Sequence, residues 1–343
     1  MKKLLILLVL VHIGGSAARA QQLYTNGPIA TGATSKSGVD APTGTQWSEL
    51  QNDAGNTTVS NTNPGFSANK SAGAELADDF VVPAGRRWII TSALFPGYQT
   101  NAAPASTIFA ELTVRIWNGQ PGLAASQVVF GENIINRLSA STDAMTFRIG
   151  NSLYPFPSPP GTTRKVWNAT ANFSTPIVLQ PGSYWISWST NVTANAPHFF
   201  PAVTIVNSRT VPNANAIQLI GGRWEPLADT GTPAGSAAVS VALPFVLNGT
   251  TALATRAGQT GPDGLSLQVG PVPATDAVQA YIANLPTGGK LLLSDALGRV
   301  VWQGTAAAGT AETAVPLSGI APGVYSLELR SAKGSVFAQV VEN

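Results

Sequence analysis

The chain has 343 residues, with 19 basic and 17 acidic residues and no cysteine. The lack of cysteine excludes disulfides, thiolate metal ligands, a thiol nucleophile and a lipid-modified cysteine. Charged residues make up 10% and apolar residues 44%, beside 34 glycines and 25 prolines. That balance suits a turn-rich β protein with a real core.

The chain opens on Lys2 and Lys3, an apolar run from Leu4 to Ile13, and Ala18-Arg19-Ala20. This is the layout of a secretory signal peptide over residues 1–20, cleaved between Ala20 and Gln21. The run is too short to span a bilayer. Cleavage removes Lys2, Lys3 and Arg19, so 19 basic residues less 3 leave 16 against 17 acidic ones. No basic run remains to neutralise phosphates, so nucleic acid is not an expected partner.

The body, residues 21–248, begins with about fifty residues of Gly, Ser, Thr and Asn with weak periodicity, read as long loops and one early strand. Strands follow at Phe80-Val81-Val82, at Trp88 to Phe95, and where Leu112, Val114 and Ile116 alternate with Thr113, Arg115 and Trp117. Trp167, Ala169, Ala171 and Phe173 share one face, as do Tyr184, Ile186 and Trp188, and then Val239, Val241, Leu243, Phe245 and Leu247. Pro244 should mark an edge or a bulge in that last run. Eight to ten strands without a helical period predict a large jelly-roll-like antiparallel β-sandwich. Residues 249–261, GTTALATRAGQTG, have linker composition.

Residues 262–343 read as a second, small immunoglobulin-like β-sandwich, making the whole chain all-β. Leu291 to Leu293 lead into the turn Asp295-Ala296-Leu297-Gly298-Arg299 and the returning Val300-Val301-Trp302. Tyr325, Leu327 and Leu329 alternate with polar residues, and after Lys333-Gly334 a last strand covers Val336 to Val341. One turn occurs in both parts, Gln180-Pro181-Gly182-Ser183-Tyr184 and Ala321-Pro322-Gly323-Val324-Tyr325. Each should place a tyrosine hydroxyl on nearby backbone, as tyrosine corners do.

With these elements in order, DALGRVVWQG, PLSGIAPGVYSLEL, the Lys-Gly tip and the terminal apolar strand, the tail resembles the C-terminal sorting domain of type IX secretion cargo. Two places depart from that pattern: Gly270-Pro271-Val272-Pro273-Ala274 stands where the family has Asn-Pro, and Phe337 to Val341 lacks a basic residue. The resemblance implies passage through the periplasm to the outer surface or beyond, with the secretion machinery as partner. Ala77-Asp78-Asp79-Phe80, Val82-Pro83 and Trp88 resemble a pattern of secreted bacterial sandwiches that carries no assigned activity.

Outside the signal peptide the single histidine is His198, expected in a solvent-facing loop between Pro197 and Pro201. No GxSxG elbow, P-loop or dinucleotide fingerprint is present. Glycoside hydrolysis needs two carboxylates at a set separation, and Glu75, Asp78, Asp79, Glu111, Glu132, Glu225 and Asp229 are the candidates taken from the body outside its early loops. Glu75, Asp78 and Asp79 form the densest acidic cluster and the sole candidate for Ca²⁺, the one cofactor considered. An acidic pair entering an edge strand would equally discourage sheet-to-sheet pairing, and that is the expectation taken.

Trp117 and Trp185 sit opposite the apolar sets of their strands, among Thr113, Arg115, Ser183 and Ser187. Rings among polar neighbours stack on sugars or anchor interfaces. Trp224, in the turn Gly221-Gly222-Arg223-Trp224, is the third candidate. The first expectation is a non-enzymatic carbohydrate-binding or adhesion module with polysaccharide or a surface molecule as partner. A carboxylate-dependent glycan-active enzyme and a structural surface component stay open beside it.

Overall fold

The computed structural model describes residues 21–56, 61, 63–83, 86–102, 108–153, 159–193, 196–231, 236–253, 257–260 and 264–342. The expected signal peptide, and with it Ala20 of the cleavage pair, lies outside the described residues; Gln21 opens the first strand.

In the body the strands are β1 (Gln21–Thr25), β2 (Gln46–Glu49), β3 (Glu75–Val82), β4 (Arg86–Gln99), β5 (Phe109–Trp117), β6 (Val128–Phe130), β7 (Leu138–Ile149) and β8 (Lys165–Leu179). They continue with β9 (Gly182–Val192), β10 (His198–Phe199), β11 (Ile217–Ile220), β12 (Arg223–Pro226), β13 (Ala228–Asp229), β14 (Val239–Ser240) and β15 (Val246–Leu253). A 3₁₀ turn, Lys70–Ala72, lies between β2 and β3.

Two sheets form the sandwich, ordered β1-β15-β4-β8-β7-β2 and β12-β11-β3-β9-β5-β6, with β10 added on β4. The pairs β1 with β15, β3 with β9, β4 with β8 and β5 with β6 are antiparallel and nested, the first strand meeting the last. With β15 on β4 and β9 on β5, this is the winding of a jelly roll. Strands β7 and β2 extend one sheet, β2 running parallel to β7, while β11 and β12 extend the other.

Alternation decides what faces inward. Leu76, Phe80 and Val82 of β3, Leu112, Val114 and Ile116 of β5, and Ile186 and Trp188 of β9 meet Ile90, Phe95, Trp167, Ala169, Ala171 and Phe173 of the other sheet. Five aromatic rings knit the centre, with Phe95 stacked on Trp188 at 4.6 Å and Phe245, Phe200 and Tyr24 around them.

The tail adds β16 (Ala257–Thr260), β17 (Ser266–Gly270), β18 (Ala277–Ala283), β19 (Gly289–Ser294), β20 (Val300–Ala306), β21 (Glu312–Pro316), β22 (Gly323–Ser331) and β23 (Gly334–Glu342). They make two four-stranded antiparallel sheets, β16-β17-β18-β21 and β20-β19-β22-β23, around a core of their own that includes Leu267, Val278, Leu293, Val315, Leu327 and Val340. The Asp295 turn is closed by its own carboxylate, which accepts from the amides of Leu297 and Arg299 and holds the Arg299 guanidinium at 2.7 Å. Both tyrosine corners form: Tyr184 Oη donates to Gln180 O at 3.1 Å and Tyr325 Oη to Ala321 O at 2.5 Å.

Several expectations are corrected. The stretch 249–261 is mostly strand: Gly249 to Leu253 pair with β4, and Ala257 to Thr260 with β17. Its β-branched Thr250 and Thr251 outweigh its glycines. Gly249 is there for space, since a Cβ would lie 2.0 Å from Ile89 O at a register shift. Strand β3 is not an edge over Glu75 to Ala77, where β11 pairs on the side away from β9; the pairing with β11 stops there, before Asp78 and Asp79. Pro244 precedes β15, an interior strand, instead of marking an edge or a bulge within it.

Candidate functional site

The outward face of the β12-β11-β3-β9-β5-β6 sheet gathers the three candidate tryptophans. Trp117 lies directly across from Trp185, and Trp185 across from Asp79. In the next row Arg115, Ser187, Ala77 and Ile217 stand side by side. Trp224 arrives from β12 through the Gly221-Gly222 hairpin, and Ala77, Trp117, Trp185, Ile217 and Trp224 close into one apolar cluster.

The rings form a corner and not a coplanar strip. Trp117 and Trp224 meet edge to face, with centroids 6.4 Å apart and planes at 84°. Trp185 is only 7% exposed, so it is the floor of the corner. Trp117 and Trp224 remain partly exposed. Trp117 Nε1 donates to Ser187 Oγ at 2.8 Å, and the Arg115 guanidinium stacks 4.6 Å over the same ring. Arg115 also grips Glu75 with two donors, Nε at 3.1 Å and Nη2 in a closer ion pair. The planar fork both covers a ring and holds a carboxylate, a double role for which Lys is no substitute. Along the same strands Thr113 and Ser189 share a hydrogen bond of 2.8 Å, and Asn191 Nδ2 donates to Glu111, which also pairs with Lys70. At the other end the loop between β5 and β6 presses on Trp224. At Gly122, with φ of 92°, a Cβ would sit 3.0 Å from the indole, so only glycine suits both the turn and the contact.

The acidic cluster does not converge. Because successive residues alternate, Glu75 and Asp79 face outward while Asp78 points into the sandwich. Among the described residues no group of three or more acids and histidines that could hold a metal is found, and Glu75, Asp78 and Asp79 are not brought together as ligands. Asp78 is 1% exposed and receives three donors: Asn26 Nδ2 at 2.7 Å, the Leu243 amide at 2.6 Å and the Asp79 amide at 2.8 Å. Burial pushes its carboxyl up to about 7, Asp79 adding to the effect and the three donors opposing it. Of the other candidate acids, Glu225 pairs with Arg223 at 3.3 Å, Asp229 is buried against Arg209, and Glu132 is exposed.

His198 is not a loop residue open to solvent. It sits in β10, paired with Gln99 of β4, and is 1% exposed. Its Nδ1–H donates to the Ala196 carbonyl at 3.1 Å, which leaves Nε2 to accept from Thr190 Oγ1 at 2.7 Å. Burial holds its pKa below the usual histidine value. With both nitrogens engaged it has the surroundings of a core residue.

A groove that the sequence did not announce lies on the outer side of the other sheet. It measures about 460 Å³ and is lined by Pro28, Pro96, Met145, Thr146, Asn168 and Val246 among others. Met145 there has φ of 51°, an uncommon conformation for an unbranched residue other than Asn or Gly, and is held by its amide on Asp143 Oδ1 at 2.8 Å.

No family model matches the chain, and no curated protein matches it. Among solved structures it is similar to a β-glucuronidase from Ruminococcus gnavus in complex with C6-substituted uronic isofagomine, at 11% identity over 78% of this chain, with a TM-score of 0.18. An FMN-binding β-glucuronidase from Facaelibacterium prausnitzii L2-6 gives 10% identity over 82% of this chain and a TM-score of 0.19. The chain spans 35% of the length of each. Scores this low leave the reading of this protein to its own residues.

Proposed function

We propose that the body is a carbohydrate-binding or adhesion module working at the cell surface, with the corner of Trp117 and Trp224 as the place where a sugar ring stacks. The observation that carries this reading is the meeting of three tryptophans from three separate segments on one outward sheet face. That face is turned away from the main core of the sandwich, and the rings form a small cluster of their own with Ala77 and Ile217. Trp224 offers a partly exposed ring, Trp117 stands at right angles to it, and Asp79 beside Trp185 supplies a carboxylate for sugar hydroxyls. Aromatic stacking with one polar group to fix orientation is how a protein surface holds a sugar.

A glycan array probed with the full chain, with Trp117→Ala, with Trp224→Ala and with Asn168→Ala tests it. Both tryptophan variants should lose about tenfold or more in affinity, and Asn168→Ala, in the groove of the opposite sheet, should keep it. Binding that survives both tryptophan changes and fails in Asn168→Ala moves the ligand to the groove and sinks the assignment. Trp185 is left intact because, as the buried floor, its loss would disturb packing as well as recognition.

In the same reading the tail is the export address, handed to type IX machinery as a folded sandwich. Strand β23 pairs along its whole length with β22 and supplies Val336, Ala338 and Val340 to the tail core. Deleting residues 334–343 should therefore leave the protein in the periplasm when surface and periplasmic fractions are compared. Undiminished surface display of the truncated chain would overturn this role.

A further inference from the structure

The most deeply buried cation of the body has no anion of its own. Arg148, on β7, is 1% exposed, and its guanidinium donates through Nη1 to Ser48 Oγ and Thr204 Oγ1, both at 2.9 Å, and through Nε to Pro64 O at 3.0 Å. All three acceptors are neutral. No ion pair among the described residues includes it, and the body residues outside the described set contain neither Asp nor Glu. Asp229 is the acid that acts on it electrostatically, but Asp229 is committed elsewhere. Its Oδ2 accepts from Asn61 Nδ2 at 2.5 Å and from Arg209 Nε at 3.4 Å, and its Oδ1 from the Gly231 amide at 2.8 Å. Two arginines against one carboxylate leave a surplus positive charge buried in the body.

Beside them lies a cavity of about 30 Å³, lined by Arg148, Arg209, Asn61, Thr204 and Asp229 and walled by apolar side chains such as Phe66. A water molecule needs about 10–15 Å³ of such space, so this cavity has room for two waters or for one chloride-sized ion, and little for sulfate or a sugar acid. An uncompensated cation in such surroundings is destabilising, and a counter-ion offsets that. We infer that this cavity is a binding site for one chloride-sized monovalent anion, which neutralises Arg148 and ties β7 to Asn61, to the 63–66 segment and to the loop that carries Thr204 and Arg209. Burial lowers Arg148 to about 10, so it is still charged at neutral pH. The anion thus makes the body's stability depend on halide.

The test compares the melting of the full chain in sodium chloride and in sodium gluconate at equal ionic strength. Chloride and bromide should give a saturating rise in Tm of about 3 °C, and sulfate should not. Thr204→Asp places a carboxylate beside the guanidinium and should abolish the halide response. A crystal soaked in bromide should show an anomalous peak against Arg148 and Arg209. Equal melting in chloride and gluconate, a halide response that persists in Thr204→Asp, or no bromide peak would each overturn the site. A bromide peak without a halide-specific rise in Tm marks an adventitious ion only and overturns it too. If Thr204→Asp does not fold, the melting comparison and the bromide peak decide.

Discussion

Asp78→Asn should flatten a pH dependence that the unsubstituted chain displays between about pH 4 and 7. The carboxyl is held at about 7 in the folded protein against 3.8 for an unperturbed group. The folded state therefore keeps a proton that the unfolded chain has released, and across that window the folded chain binds more protons. Stability from this group is fully present below about pH 4 and is lost as pH rises through about 7, on the order of 4 kcal/mol in all. His198 slopes the other way, because a histidine held neutral by burial loses its contribution as pH falls below the unfolded value. Comparing the two proteins at each pH cancels His198. Asn also leaves one of the three donors facing an amide in place of a carboxylate oxygen, at a roughly constant cost of about 1–3 kcal/mol. In urea titrations the gap between the two proteins should accordingly be wide near pH 4 and narrow by pH 7.5. A gap that stays constant over that range would show that the carboxyl is already ionised throughout.

The second large effect is expected at Trp188. It is fully buried on β9 between Leu76 and Val114, stacks on Phe95 of the opposite sheet at 4.6 Å, and meets Phe200 and Phe245 at 5.9 and 6.4 Å. Truncation to Ala removes the ring that joins both sheets, and the surrounding aromatics have no room to collapse into the gap. The cost should be about 3–5 kcal/mol. Trp188→Phe should cost less than half of that, for a particular reason: the indole Nε1 is buried without a hydrogen-bond partner, so Phe gives up no hydrogen bond. Chemical denaturation of Trp188→Ala, Trp188→Phe and Trp117→Ala side by side checks this. A Trp188→Ala midpoint no lower than that of Trp117→Ala would remove Trp188 from the centre of the core.

Much of the fold was legible because period-two patterning is local. The inward sets of β5, β8 and β9 follow from alternation alone, as do the outward positions of Trp117 and Trp185. The tyrosine corners could be read from Pro-Gly followed by Tyr. Asp78 was legible too, since it shares the parity of Leu76, Phe80 and Val82; treating it as one cluster with Glu75 and Asp79 ignored that parity. His198 was misjudged because a two-residue strand has no period and its flanking prolines signal a loop. Nothing local places Trp224 against Trp117, which depends on the β11-β12 hairpin docking along β3. Arg148 gave no signal, since a charged residue between Phe147 and Ile149 is expected to point to water. Its burial comes from Ser48, Pro64 and Thr204, distant segments that supply acceptors only once folded.

The nesting of first strand with last also dictates an order of assembly. Gln21 and Gln22 find their partners at Gly249 and Asn248, so the chain's opening segment has nowhere to settle until nearly all of the body has been synthesised. Until then β15 is lacking as well, and the β4 edge it will cover stays open. A nascent body is thus kept from closing prematurely by its own winding, and the residues next to the expected signal-peptide junction are among the last to be locked down.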